Sequence, residues 1–252
     1  MNATFPEIMT ALGDLVLPRR CIVCGTLLAL REKHLCIRCL SDLPRTFFPD
    51  QSRNQMADRF NALIQRDRES DATLPREEYA FAASLFFYRS SAGYSKIPQR
   101  LKYHADFAAG RFFSGILGER MASSPLFRDV DMVIPVPLHR ARRWSRGFNQ
   151  AEVIARSLAA ALGAELRTGI LYRSVRTRTQ TRLSLEEKAR NVASAFRVRK
   201  HIQKHTAPPR HILLVDDVFT TGATLHACFR ALREVFPPSV RISVATLACV
   251  GR

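Results

Sequence analysis

From about residue 77 the chain alternates short apolar runs with longer stretches in which apolar residues recur at helical intervals. AFAASLFFY (80–88), DMVIPVPL (131–138), RHILLVDD (210–217) and VRISVATLACV (240–250) each predict a strand. IPQRLKYHADFAAGRFFSGILGERM (97–121), NQAEVIARSLAAALG (149–163) and ATLHACFRALREVF (223–236) predict helices, the second closed by Gly163 and the third stopped by Pro237 and Pro238. Strands separated by helices of this length predict an α/β fold with a mostly parallel sheet flanked by helices. Ahead of this region the pattern is weaker. Ile8, Leu12, Leu15 and Val16 fall at helical spacing, while 46–76 is charged, glycine-free and patterned only at Phe60, Leu63 and Ile64. The expected division is therefore a small N-terminal module over 1–45, a linker with one short helix over 46–76, and an α/β domain over 77–252.

Charge narrows the partner. The 252 residues carry 39 Lys+Arg against 22 Asp+Glu, a net +17, with the excess strongest in 140–146 and 167–204. Such a balance favours a polyanionic or phosphorylated partner. Glu7 and Asp14 precede any basic residue, unlike the start of a signal peptide, and no run approaches the roughly 18 apolar residues of a membrane span. The expected location is the cytoplasm, whose reducing poise argues against structural disulfides.

Four of the six cysteines stand as CIVC and CIRC: Cys21, Cys24, Cys36 and Cys39, in C-x2-C-x11-C-x2-C spacing. A two-residue gap lets both thiolates of a pair turn onto one ion, and four thiolates complete the tetrahedral shell of structural zinc. Gly25 suits the tight knuckle. A redox dithiol is the competing reading, and His34 is an alternative ligand. Cys228 and Cys249 lie in apolar helix and strand patterns and are expected in the core.

ILLVDDVFTTGAT (212–224) runs an apolar strand into two adjacent acids and then a hydroxyl-rich turn that opens a helix. Ligands of open α/β sheets bind beyond the carboxyl ends of strands, where a helix N-terminus offers free N–H groups. Gly222 lets the backbone approach an anion, and Thr220, Thr221 and Thr224 add donors of the reach a monophosphate needs. The stretch is no Walker loop, having no G-x-x-x-x-G-K-[ST]. Asp216 and Asp217 would repel a bare polyphosphate but accept hydrogen bonds from a vicinal diol, with magnesium offsetting the charge. A sugar 5-phosphate uses all of these groups.

The strand, paired acids and T-T-G-x-T turn resemble the signature that type I phosphoribosyltransferases use to bind phosphoribosyl pyrophosphate (PRPP). With the cysteine module, RLKYHAD (100–106), IPVPLHRARRWSRGFNQA (134–151) and QTRLSLEEKARNVASAF (180–196), the chain resembles the ComF family of phosphoribosyltransferase-like competence proteins, GntX-type members included, over nearly all of its length. The resemblance implies a PRPP site at Asp216, Asp217, Thr220, Thr221, Gly222, Ala223 and Thr224. It implies a pyrophosphate loop at Pro137, Leu138, His139 and Arg140. Arg143 and Arg146, with Arg142, add charge beside that loop; Lys102 is a further phosphate or nucleic-acid contact, and Asn149 is expected to cap the next helix. Residues 177–191 would be a loop covering the substrate, with Gln180, Lys188 and Arg190 as contacts, Lys188 standing where the family pattern has an arginine.

Two functions follow from the resemblance. One is a competence factor that binds PRPP with magnesium and handles single-stranded DNA during uptake, alongside other competence-machinery proteins, with Trp144, Phe148 and Tyr172 among its basic residues available for stacking. The other is an active phosphoribosyltransferase on an unknown nucleobase or related acceptor; no segment reads as a base-recognition hood, whose place the zinc module would occupy.

Overall fold

The computed structural model describes residues 5–174, 195–199 and 208–251. Its strands are β1 (Ala82–Tyr88), β2 (Met132–Pro135), β3 (Glu165–Leu166), β4 (Leu171–Arg173), β5 (Phe196–Val198), β6 (His211–Phe219) and β7 (Arg241–Val250). Five of them form one sheet in the order β1-β7-β6-β2-β3, each neighbouring pair parallel. β4 and β5 form a separate antiparallel pair, Arg173 opposite Phe196. The inner strands β6 and β7 are covered on both faces, which is why they read as unbroken apolar runs and not as alternating ones.

The helices are α1 (Phe5–Val16), α2 (Ile37–Ser41), α3 (Gln55–Ser70), α4 (Lys96–His104), α5 (Phe107–Ser123), α6 (Arg140–Arg146), α7 (Gln150–Leu162) and α8 (Ala223–Arg233). Alternation along β6 divides the core. Ile212 and Leu214 pack with Met56 and Phe60 of α3 and Leu225 and Phe229 of α8. Leu213 and Val215 pack with Ile97 and Leu101 of α4, Phe113 of α5 and Ile154 and Leu158 of α7. Among the described residues no helix is long and apolar enough to cross a membrane.

Several expectations are corrected. The helix expected over 97–121 is two helices: Ala105 takes a left-handed φ of 51°, and the Asp106 side chain caps α5 by accepting from Ala109 N at 3.0 Å. Arg140, expected in the loop after β2, instead opens the helix α6, capped by His139 Nδ1, which accepts from Ala141 N at 3.2 Å, and ended by Gly147 at φ 79°. The 46–76 stretch carries sixteen-residue α3, started by Asn54, which accepts from Met56 N and Ala57 N at 3.1 and 2.9 Å. Met56, Ala57 and Phe60 are completely buried there, so this stretch is part of the main core. Cys228 and Cys249 are buried as expected.

At the amino end of β6 the fully buried His211 bridges two elements. Its Nδ1 lies 2.8 Å from Asp129 Oδ1 and its Nε2 2.8 Å from Ser243 Oγ, while Phe81 N donates to the same hydroxyl at 3.0 Å. The neutral ring, donating to Asp129 and accepting from Ser243, satisfies all three side chains. Burial pulls the imidazole pKa below its ordinary 6.5 despite Asp129; burial pushes the Asp129 carboxyl up, but His211, a backbone hydrogen bond and Arg241 together hold it below 3.8. A depressed folded-state pKa means that the unfolded chain takes up the proton first, so the His211 contribution is lost as pH falls below about 6.5. His211→Ala, which orphans both partners and leaves a void beside Phe81 and Phe127, is expected to destabilise by about 2–4 kcal/mol in urea unfolding and to flatten the fall in stability below pH 6.5. A loss under about 1 kcal/mol would contradict the role given to this network.

Candidate ligand and metal sites

β6 does not end at its acids. The strand continues through Asp216 and Asp217 to Phe219, with Asp216 opposite Thr246 and Phe219 opposite Cys249 of β7, because Val218 and Phe219 extend the apolar run past the carboxylates. Consecutive strand residues leave on opposite faces. Asp217, 5% exposed, turns toward α4, where its Oδ2 meets Lys102 Nζ at 3.0 Å, while its Oδ1 accepts from Val218 N at 3.0 Å. The Lys102 ammonium is disfavoured by its burial, but the charge and hydrogen bond of Asp217, helped by Asp216, raise its pKa overall. Asp216 accepts from Asp217 N at 2.8 Å. Burial and the neighbouring Asp217 charge hold its carboxyl well above the usual range, with Lys102 acting the other way. The pair is thus asymmetric: one acid carries a fixed counter-cation, and the other is poised to gain from an added positive charge.

The turn after β6 leads straight into α8. Gly222 sits at φ 84°, and a Cβ there would lie 2.8 Å from Phe219 Cζ and 3.1 Å from Leu63 Cδ1. Both backbone and packing therefore require glycine. Thr220 and Thr221 are exposed, and Ala223 and Thr224 are half-buried at the first turn of α8, whose N–H groups have no intrahelical partners. Arg59 of α3 braces the turn from below: its guanidinium donates to Thr220 O, and to Val250 O at 2.8 Å, and lies 5.1 Å from the Phe219 ring centroid. His226 of α8 meets Asp67 of α3 at 3.0 Å, tying the two helices together.

A second turn opens at the same sheet edge. β2 pairs Pro135 with Val215, one residue short of the acids, and Val136 N donates to Val215 O at 2.8 Å. Half-buried Pro137, Leu138 and His139 follow and lead to exposed Arg140. Asn149 is the expected cap of α7, accepting from Ala151 N at 3.1 Å, and its amide donates to Val136 O at 3.0 Å, which anchors the base of the turn. Arg143 pairs with Glu152 at 3.4 Å, and Arg146 donates to Gln150 Oε1 at 2.7 Å. Phe148 packs edge-on to Phe107 with centroids 4.8 Å apart, so it belongs to the core side of the loop and is withdrawn from the set of stacking aromatics. Gln180, Lys188 and Arg190 lie outside the described residues.

Three further residues gather at the site without a signal in the chain pattern. Arg59 is hidden in the charged 46–76 stretch. Arg173, at the end of β4, stacks at 5.2 Å over Phe196; burial and nearby Arg142 lower its pKa, while Cys228 and Asp216 oppose them. Tyr103, next to Lys102, is 69% exposed and faces Arg146 at 5.6 Å. Alternating strands and helical faces place such residues, and each depends on a partner remote in sequence.

In the N-terminal module the Sγ atoms of Cys21, Cys24, Cys36 and Cys39 lie within 4.8 Å of one another, and those of Cys24 and Cys36 are 3.7 Å apart. Zn–S bonds of about 2.3 Å in a tetrahedron give an S–S edge of about 3.8 Å, so the four thiols fit a metal shell. His34 lies tilted against Phe112, ring centroids 5.2 Å apart, and is not part of the cluster. The module docks on the main core through Cys21, Leu35 and Cys39. Tyr94 OH donates to Cys39 O at 3.2 Å and Lys96 Nζ, at the start of α4, to Val23 O at 3.0 Å. The helix that delivers Lys102 to Asp217 is thereby fixed at its other end to the cysteine knuckle.

No protein-family model matches the chain. It is 31% identical over 147 residues to Competence protein F of Haemophilus influenzae, covering 57% of this chain and 63% of that one. It is 37% identical over 95 residues to DNA utilization protein YhgH of Escherichia coli K12, covering 38% and 40%, and 29% identical over 142 residues to Competence protein ComFC of Streptococcus pneumoniae, covering 56% and 58%. The chain thus spans between 40% and 63% of the length of these relatives. Among solved structures, the crystal structure of TT1426 from Thermus thermophilus superposes with a TM-score of 0.33 at 18% identity, over 57% of this chain and 84% of that one. Across the region they share, the chain is similar to these competence and DNA-utilization proteins, which supports its resemblance to the ComF family.

Proposed function

We propose that this protein binds PRPP, with magnesium, at the carboxyl edge of the sheet, and serves DNA uptake in the cytoplasm by handling single-stranded DNA. The observation that carries the first part is the convergence of an acid pair, a glycine-dependent hydroxyl turn and a second basic turn on one edge of a parallel sheet. The 5-phosphate sits on the N–H groups and hydroxyls of 220–224 at the start of α8. The ribose diol donates to Asp216, while Asp217, turned to the other face, keeps Lys102 at the same edge. The pyrophosphate lies against Pro137, Leu138, His139 and Arg140, with Lys102 and Arg173 supplying charge on either side of the acids.

The donor set fits magnesium, a hard cation held by carboxylate and phosphate oxygens, and bound magnesium would neutralise the pyrophosphate and draw Asp216 into its ionised form. The second part rests on the +17 net charge and on relatives named for competence and DNA utilization. The resident metal of the cysteine cluster is read as zinc, and it supplies rigidity to a module with little core of its own.

Calorimetry with PRPP and magnesium should show saturable binding by the wild type and none by Asp216→Asn/Asp217→Asn; equal binding by both would refute the site. Metal analysis should find one zinc per chain, lost in Cys36→Ser together with the cooperative unfolding of the module. Unchanged metal content in that variant would refute the four-thiolate shell.

A further inference from the structure

α6 is a helix with no buried residue, held in place by its ends. His139 caps its start, Gly147 ends it, and Arg143 and Arg146 tether it to Glu152 and Gln150 of α7. A seven-residue helix without apolar contacts does not persist on propensity alone, so these caps and tethers fix an element whose outward face has no packing role. The helix carries exposed Arg140, Arg142 and Arg143 and, at 94% exposure, Trp144. An indole almost wholly in water forgoes the burial that makes tryptophan stabilising.

The neighbouring end of α4 continues the surface. Lys102 turns inward to Asp217, and the next residue, Tyr103, turns outward under the Arg146 guanidinium, 5.6 Å from its ring centroid. One helix therefore links the acid pair to α6 within two consecutive residues. The turn from Pro135 to His139, which starts beside Val215, brings α6 to the same edge from the other side.

We propose that α6 and the end of α4 form a stacking surface for single-stranded nucleic acid beside the acid pair at the carboxyl edge of the sheet, with bases lying on Trp144 and Tyr103 and the α6 arginines on the backbone. This rests on the single-strand reading of the proposed function and gives it a place. Unpaired bases offer π faces to an exposed indole and phenol, which a duplex keeps stacked, and arginine supplies both phosphate forks and guanidinium stacking. A lipid surface fits less well, because RARRWSR has no apolar stripe to insert beside its one tryptophan. A strand lying here runs past Lys102 and the pyrophosphate turn, so the two ligands occupy adjoining positions.

Trp144 is the chain's sole tryptophan, so its fluorescence reports this surface directly. Titrating the zinc-loaded full chain with an oligothymidylate of about twenty nucleotides should quench Trp144 emission saturably, whereas inorganic polyphosphate should not. In parallel, anisotropy of the labelled oligonucleotide should show affinity about tenfold weaker for Trp144→Ala and nearly retained for Trp144→Phe, with PRPP calorimetry unchanged in both variants. Oligonucleotide binding with unaltered emission and unaltered affinity in Trp144→Ala would overturn the surface while leaving DNA handling intact. No binding of any single strand would overturn both. Quenching by anionic phosphatidylserine vesicles without quenching by oligonucleotide would assign the face to a membrane and overturn the proposal.

Discussion

A carboxylate buried in the central strand of a sheet must be matched by a cation, and Lys102 supplies it to Asp217 at 3.0 Å. That requirement fixes more than two side chains. Lys102 reaches Asp217 only if α4 keeps its position across the carboxyl edge. α4 in turn is set by Ile97 and Leu101 in the core and by the Lys96 contact to the cysteine knuckle. The cysteine module, the helix and the strand are thus one mechanical line, and the acid at its end is held in a single orientation. Preorganisation of this kind lowers the ordering cost of binding.

The opposite face of β6 is built differently. Asp216 looks toward the side of α3 and α8, where Cys228 and Arg173 are its electrostatic neighbours and where burial keeps its carboxyl hard to ionise. The threonine turn is supported from this side by Arg59, which holds Thr220 and Val250 through two carbonyls. Two helices from distant parts of the chain, α3 and α4, therefore grip one nine-residue strand from its two faces.

What is legible in the sequence follows from how much each element depends on its own neighbours. The inner strands announce themselves because a sheet covered on both faces needs unbroken apolar runs, and α7 because Asn149 and Gly163 cap it locally. α3 is hard to see in the sequence because a few buried residues, Met56, Ala57, Phe60 and Ile64, stand among many charges that face water or reach other elements. α6 has the pattern of a loop because end caps, not an apolar stripe, hold it. The acid pair and threonine turn are visible as chemistry, but their division between two faces is not. Alternation along the strand decides which face each carboxylate takes, and β6 runs two residues beyond the predicted 217. Arg59, Tyr103 and Arg173 carry no local pattern, since each acquires its role from a partner far along the chain.

The central claim is that the turn at 220–224 holds a sugar 5-phosphate while the turn at 137–140 faces the pyrophosphate. Phosphorus NMR of PRPP resolves these groups separately. Adding the protein with magnesium should shift and broaden the 5-phosphate resonance as well as the two pyrophosphate resonances. Thr221→Val should reduce the effect on the 5-phosphate first, the others following only as affinity falls. Perturbation of the pyrophosphate alone, with the 5-phosphate resonance left at its free position, would contradict the account.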